Sequence, residues 1–435
     1  MGNFSLRRQA VYVFLLFMLL LLAVPRAGHE SDMSFWVAWA KDIFYHGLGN
    51  VYQSPSNSYN PLYHYILWLF GVLMGSAEKI IYYSHWLKAF TLVFDFAAAF
   101  WAASLVRERE RRFGLVLLLL LNIGYLYNTL IWIQVDAIYT LFVFGAVVLA
   151  VRQQAVGSVL CFVLALAAKP QAGIFLPPLL LLWGPLWWQH PRRLVQAVGA
   201  GAGLLVLVLA PFIWGGDENY LPRIMAINLG AANFFPTLSM NAYNFWHLVA
   251  PTPDPLVVSD SLLFAGLTCR SWGLLFFFGT SALALLPLLL LAVRHLRRPP
   301  GVLASVASSD ADLALVLLSC GLIPLLFTFF NTQMHERYWH AAVLFLAAYG
   351  FVRRDYALYV LVSVAYFLNL EGVLRHLQLK NYAVLVFQPW FVAVLFGLVI
   401  ALGFFKLYRL TAWRNDWRLI RQPALPEPEL QRVKS

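Results

Sequence analysis

Pro61-Leu62-Tyr63-His64-Tyr65-Ile66-Leu67-Trp68-Leu69-Phe70-Gly71-Val72-Leu73-Met74-Gly75 is the stretch on which the fold turns. The chain around it has 435 residues, 61% of them hydrophobic and 12% charged, with a mean hydropathy of +0.71. That composition excludes a soluble globular protein of this length. It describes a polytopic all-α membrane protein, because long apolar runs can cross a bilayer as helices but are not barrel strands. After a first run from Val11 to Val24, apolar stretches recur at about 82–106, 113–131, 132–151, 155–168, 171–188, 194–214, 270–293, 311–330, 338–352, 356–370 and 383–405. The run from Pro61 to Gly75 is only 15 residues, begins at a proline and contains Tyr63, His64 and Tyr65. Whether it crosses sets the side of everything after it.

Basic residues decide the matter. If the run crosses, ten of the 31 Lys and Arg fall on the N-terminal side and 21 opposite. If it dips or lies on the surface, the counts reverse. Short cytoplasmic loops hold the basic excess, so the second arrangement is expected. It gives about twelve transmembrane helices, outer-face juxtamembrane helices, and both termini in the cytoplasm. The clusters Arg107–Arg112, Arg192-Arg193, Arg294–Arg298, Arg353-Arg354 and the tail then lie inside. The net charge of +11 reflects these loops rather than a nucleic-acid partner. Residues 1–27 resemble a signal peptide superficially, ending in Pro25-Arg26-Ala27, but an uncleaved anchor fits the chain better. Cys161, Cys269 and Cys320 form no motif. The chain divides into 1–262, a membrane module with outer loops 26–81 and 215–262; 263–405, a second transmembrane module carrying the 334–339 motif; and the cytoplasmic tail 406–435.

This topology sends the unusual polar groups to one outer face. Gly28-His29-Glu30-Ser31-Asp32 ends the first run, followed by an amphipathic segment with apolar Phe35, Trp36, Trp39, Ile43 and Phe44. Ionisable groups at a membrane boundary are costly and tend to be functional. Lys88 sits at a helix mouth, seven residues before Asp95, which either works or bonds a neighbouring helix. Gln134-Val135-Asp136 opens a helix, where Asp136 either caps it or faces a sugar or cation. Lys169-Pro170-Gln171 separates two apolar runs, and Lys169 either snorkels or meets a phosphate. Asn241-Ala242-Tyr243-Asn244-Phe245-Trp246 lies in a long outer loop and reads as an interfacial belt or a sugar-binding segment. His335-Glu336-Arg337-Tyr338 is the densest ionisable cluster beside a helix. Arg337 pairs with Glu336 alone or, with His335, offers donors to a phosphate. No zinc-type spacing accompanies it.

Together these residues resemble the GT-C superfamily of integral-membrane glycosyltransferases, nearest to the bacterial group related to GPI and polyprenol-dependent mannosyltransferases. The pieces are Asp32, Trp39-Ala40, Gly47, Tyr52, Tyr59-Asn60-Pro61, Trp132-Ile133-Gln134-Val135-Asp136, Lys169-Pro170-Gln171, Asn241–Trp246 and His335–Tyr338. Relatives often show Tyr-Pro-Pro at 59–61 and Trp-Gly-Gln-x-Asp at 132–136, so Asn60 and Ile133 depart from the pattern. The resemblance covers about residues 1–345. It implies inverting transfer of a hexose such as mannose from a polyprenyl-phosphate donor to a glycan, lipid or protein acceptor, on the periplasmic face of a bacterial inner membrane. Asp32 would be the general base. Lys169, His335 and Arg337 would offset charge on the departing phosphate, and Gln134 and Asp136 would hold sugar or acceptor. Glu30, Lys88, Gln171, Asn241, Asn244, Glu336 and Tyr338 join them as expected substrate contacts. No cofactor is expected: some relatives need a divalent cation, but no clear ligand set is present here. The competing readings are a lipid-linked sugar flippase and an O-antigen ligase or polymerase. A flippase fits less well because no repeat is evident and the polar groups gather at one face.

Overall fold

The computed structural model describes residues 6–24, 28–230, 235–250, 254–297 and 309–411. The boundary Pro25-Arg26-Ala27 and the tail beyond Thr411 lie outside the described residues. Of the described residues, 78% are helical. An apolar helix α1 (Leu6–Ala23) leads into α2 (Glu30–His46), a short 3-10 turn, α3 (Pro61–Met74) and α4 (Ala77–Tyr82). Then come α5 (Leu87–Ser104), α6 (Arg109–Leu120), α7 (Ile123–Leu130), α8 (Asp136–Val151), α9 (Ala155–Ala168), α10 (Leu176–Gln189) and α11 (Pro191–Trp214). The long loop that follows carries α12 (Leu221–Gly230) and the single turn α13 (Trp246–Val249). It ends in a hairpin pairing Leu263–Phe264 with Leu267–Thr268. The chain finishes with α14 (Cys269–Leu296), α15 (Asp310–Phe330), α16 (His340–Arg353), α17 (Ala357–Leu374) and α18 (Pro389–Leu410).

Six helices among the described residues are long and apolar enough to cross a bilayer, or seven if α6 and α7 form one bent span. Four shorter apolar helices, α3, α8, α9 and α16, stand beside them. The protein is therefore an all-α integral membrane protein. The expected run 113–131 is broken at Asn122, where α6 and α7 meet at 57°. Asn122 Oδ1 accepts from the Tyr125 amide at 3.2 Å, and its amide donates to Tyr359 and Ser363, each at 2.7 Å. A capping side chain that also ties to α17 stops one helix and starts the next.

The segment between α1 and α5 follows its sequence closely. Glu30 and Asp32 fall in the first turn of α2, where carboxylates favour the helix dipole. Gly47, at φ +82, closes the helix through its amide to the Ile43 carbonyl. Trp36, Trp39, Ala40 and Ile43 form its buried stripe, while Phe35 and Phe44 flank it and are exposed. Helix α3 has Pro61 in its first turn and a left-handed Gly75 behind it. Its 14 residues rise about 21 Å, against about 30 Å of hydrocarbon. One face buries Tyr63, His64, Leu67 and Phe70, and the other leaves Trp68, Leu69, Val72 and Leu73 exposed.

The helices alternate between two unlike ends. The Lys88 ammonium meets the Val24 carbonyl, so the excursion from residue 25 to 87 leaves and returns at the same end. The other end gathers the arginines. Arg107 pairs with Asp310 at 3.1 Å, Arg294 with Asp312 at 3.0 Å, Arg354 with Glu108 at 2.6 Å, and Lys406 with Asp355. These pairs stitch the α5–α6, α14–α15 and α16–α17 loops to the end of α18.

Candidate functional site

At the polar end the chain leaves regular helix wherever a polar group is presented. Between α7 and α8, Ile133 adopts φ +61, a conformation costly for a β-branched residue. That turn points Trp132 and Gln134 at one carboxylate. Trp132 Nε1 donates to Asp32 Oδ2 at 2.9 Å and Gln134 Nε2 donates to the same oxygen at 2.6 Å. His29 Nδ1 stands 3.6 Å from that oxygen, and the His29 ring stacks on Trp132. Oδ1 of Asp32 has no hydrogen bond from the described residues. The Asp32 side chain retains 19% exposure.

Asp136, the first residue of α8, is fully buried. Lys169, at the break after α9, donates to its Oδ1 at 2.6 Å. Asn128 Nδ2 reaches Oδ2 at 3.4 Å. The Lys169 ammonium lies 5.9 Å from the ring centres of both Tyr59 and Tyr338.

The loop between α15 and α16 supplies the third cluster. Arg337 Nη1 donates to Glu336 Oε1 at 3.0 Å, and His335 Nδ1 is 3.8 Å from Oε2. Burial works against charge on Glu336, but the neighbouring His335 ring and the Arg337 guanidinium outweigh it and hold its carboxyl below the usual range. Burial, followed by the charge of Arg337, pushes His335 below its ordinary value, so its ring is neutral at pH 7. The loop is fixed from two sides. Met240 and Ala242 donate their amides to the Met334 carbonyl at 2.9 and 3.1 Å, and Gln333 Nε2 donates to buried Asp260 at 2.7 Å.

Lys169, Gln171, His335, Arg337 and Tyr338 line one cavity of about 590 Å³, together with Tyr59, Asn60, Arg223 and Gln333. Three buried polar atoms on its lining residues, Gln171 Oε1, Arg223 Nε and Arg337 Nε, have no partner among the described residues. Asp32, Gln134, Asp136 and Glu336 lie behind the lining. Gln134 Oε1 is 3.5 Å from the hydroxyl of Tyr59, which lines the cavity, so Asp32 is linked to the cavity wall through Gln134 and Tyr59.

Four expected contacts sit elsewhere. Glu30 is exposed on the first turn of α2. Lys88 is buried against the Val24 carbonyl. Asn244 spends its amide on the Thr328 and Asn331 carbonyls, at 3.0 and 3.4 Å, and its oxygen on the Trp246 amide. Asn241, at φ +70, offers its carbonyl to Asn369 Nδ2 at 2.8 Å. The 241–246 segment is therefore a strap that holds the His335 loop in place. Sequence reasoning missed Arg223 and Gln333 on the cavity, and missed Asn228, which exchanges hydrogen bonds with Asn60 at 3.0 and 3.1 Å. No motif marks these three. Among the described residues no group of three or more His, Cys, Asp or Glu is arranged to hold a metal ion.

The arrangement offers a carboxylate with one free oxygen beside a cavity lined by an ammonium, a guanidinium and a neutral imidazole. No protein-family model and no curated protein matches the chain.

Proposed function

We propose that the protein is a membrane glycosyltransferase of GT-C type, moving a hexose such as mannose from a polyprenyl-phosphate donor to a glycan, lipid or protein acceptor with inversion. The observation that carries the reading is the cavity shared by Lys169, His335 and Arg337, with Asp32 linked through Gln134 to Tyr59 on its wall. A departing lipid phosphate gains charge as the glycosidic bond breaks. Guanidinium and ammonium groups held ready for that charge lower the barrier, because they need no reorganisation when it appears. Asp32 Oδ1 takes the acceptor hydroxyl proton from the opposite side. Asp136 orients Lys169 and Glu336 orients Arg337, each through its ion pair. No divalent cation is part of this scheme. Every lining residue of the cavity comes from the polar end of the bundle, which favours transfer over transport, since a transport path needs walls from both ends.

The test is purified protein in detergent or nanodiscs, supplied with a panel of polyprenyl-phosphate sugars and assayed for sugar release and transfer. One donor is expected to be consumed. Consumption of none of the panel, together with lipid-linked sugar crossing sealed vesicles, would replace the transferase with a flippase.

The same reading sets the active face outside a bacterial inner membrane, about twelve spans, and both termini in the cytoplasm. A single cysteine at Ser76, just past α3, is expected to react with impermeant maleimide added outside whole cells. Reaction only after permeabilisation would reverse the topology.

A further inference from the structure

A second cavity, of about 570 Å³, opens between the end of α17 and the start of α18, and the transfer scheme makes no use of it. The 240–243 strap divides the two cavities. Its Met240 and Asn241 bridge to His335 on one side, and its Tyr243 lines the second cavity on the other. Gly372 lets that ring close in, since a Cβ there would stand 3.1 Å from the Tyr243 hydroxyl.

The second cavity is cationic. Arg375 and Lys380 line it, and among the described residues neither has a carboxylate within ion-pair distance. The Arg375 guanidinium lies over the Tyr382 ring at 5.4 Å. The loop carrying them is held in shape from below. Buried Glu371 accepts from the Tyr127 and Tyr382 hydroxyls, and from the Leu377 amide at 2.9 Å. Glu371 thus holds the loop that carries the two cations, and among the described residues it forms no ion pair with either. Arg375 and Gln378 turn the backbone at φ +52 and +48.

The rim is apolar. Leu379, Val384, Leu385 and Trp390 are each more than 40% exposed, and they flank two helices that qualify as membrane spans. Unpaired cations beside exposed apolar side chains at the edge of a helix bundle are matched by an amphiphile with an anionic head.

We propose that this cavity binds the phosphate headgroup of an anionic membrane lipid. Arg375 offers its planar fork and Lys380 a point charge to the phosphate oxygens. The acyl chains lie over Val384, Leu385 and Trp390.

The test is native mass spectrometry of the full-length protein titrated with phosphatidylglycerol, phosphatidylcholine and inorganic phosphate. Phosphatidylglycerol is expected to bind the wild type in preference to phosphatidylcholine. The Arg375→Gln/Lys380→Gln protein should lose phosphatidylglycerol affinity by roughly thirty-fold, at about fivefold per basic group, with phosphatidylcholine binding and thermal midpoint unchanged. Leu385→Ser/Trp390→Ser should weaken phosphatidylglycerol as well. Unchanged phosphatidylglycerol affinity in the double glutamine variant overturns the site. Inorganic phosphate displacing the lipid at equal concentration overturns the lipid as its occupant. No transfer is measured, so the result is independent of the proposed reaction.

Discussion

Asp32→Asn is expected to cut turnover by about a hundred- to ten-thousandfold, the usual worth of a general base, while expression and donor binding stay close to wild type. The expectation follows from comparing the carboxylates near the cavity. Asp136 is committed to Lys169 and Glu336 to Arg337. Asp32 receives hydrogen bonds from the neutral donors Trp132 and Gln134, both on Oδ2. Its other oxygen is the one left for a hydroxyl proton. An asparagine can turn its oxygen towards Trp132 and Gln134 and keep both bonds, so the local geometry survives. The amide nitrogen then occupies the position of the base and cannot accept a proton. Glu30 is two residues away but exposed on the first turn of α2, and Glu30→Gln should be mild. Initial rates at saturating donor and acceptor decide the issue. Near wild-type turnover for Asp32→Asn, or a dead Glu30→Gln, moves the base to another residue.

The parts of this protein that were legible in sequence are those set by local periodicity and charge. Of the apolar positions Phe35, Trp36, Trp39, Ile43 and Phe44 read from the helical spacing, the structure buries Trp36, Trp39 and Ile43 and leaves Phe35 and Phe44 exposed. Three of the arginine clusters placed together by counting, at 107–112, 294–298 and 353–354, form ion pairs at one end. Amides were read less well. Asn244 looks in sequence like a sugar-binding group, yet its side-chain amide binds the Thr328 and Asn331 carbonyls, more than 80 residues away. An amide that staples a loop and one that holds a ligand have the same side chain, and only the distant partner tells them apart. Asn369 makes the point from the other direction. Embedded in the apolar run of α17, it accepts from the Trp339 indole and the Tyr243 amide, each at 3.0 Å, and fixes both loops beside the site. Ile133 is a third case. Enzymes of the proposed GT-C type usually carry glycine at this place in the motif, and the backbone here, at φ +61, is one that glycine adopts without strain. The substitution was visible in sequence, but its conformational cost was not.

Lys169→Met should destabilise the protein by about 3–5 kcal/mol, the range for removing one partner of a buried ion pair. Asp136 is fully buried, and without the ammonium its remaining contact is the 3.4 Å approach of Asn128. A carboxylate left unpaired in that position carries its desolvation cost with little return. Lys169→Met/Asp136→Leu removes both charges and should recover most of the loss, since apolar replacement of a whole buried pair is often neutral or better. The cycle separates structure from function. If Lys169 serves only to neutralise Asp136, the double variant regains stability and activity together. If the ammonium also meets the donor phosphate, the double variant folds and still binds donor weakly. A charged hydrogen bond is worth about 1.5–3 kcal/mol, so the loss in donor affinity should be roughly ten- to a hundredfold. Thermal midpoints in detergent give the first quantity, and donor titration against the stable double variant gives the second. A double variant as unstable as Lys169→Met refutes the ion-pair account, and one that binds donor like the wild type removes Lys169 from the phosphate site. Tyr59 and Tyr338 flank the ammonium in the wild type. Their faces favour a cation there even before a substrate arrives, so the charge is in position ahead of the phosphate that it is proposed to meet.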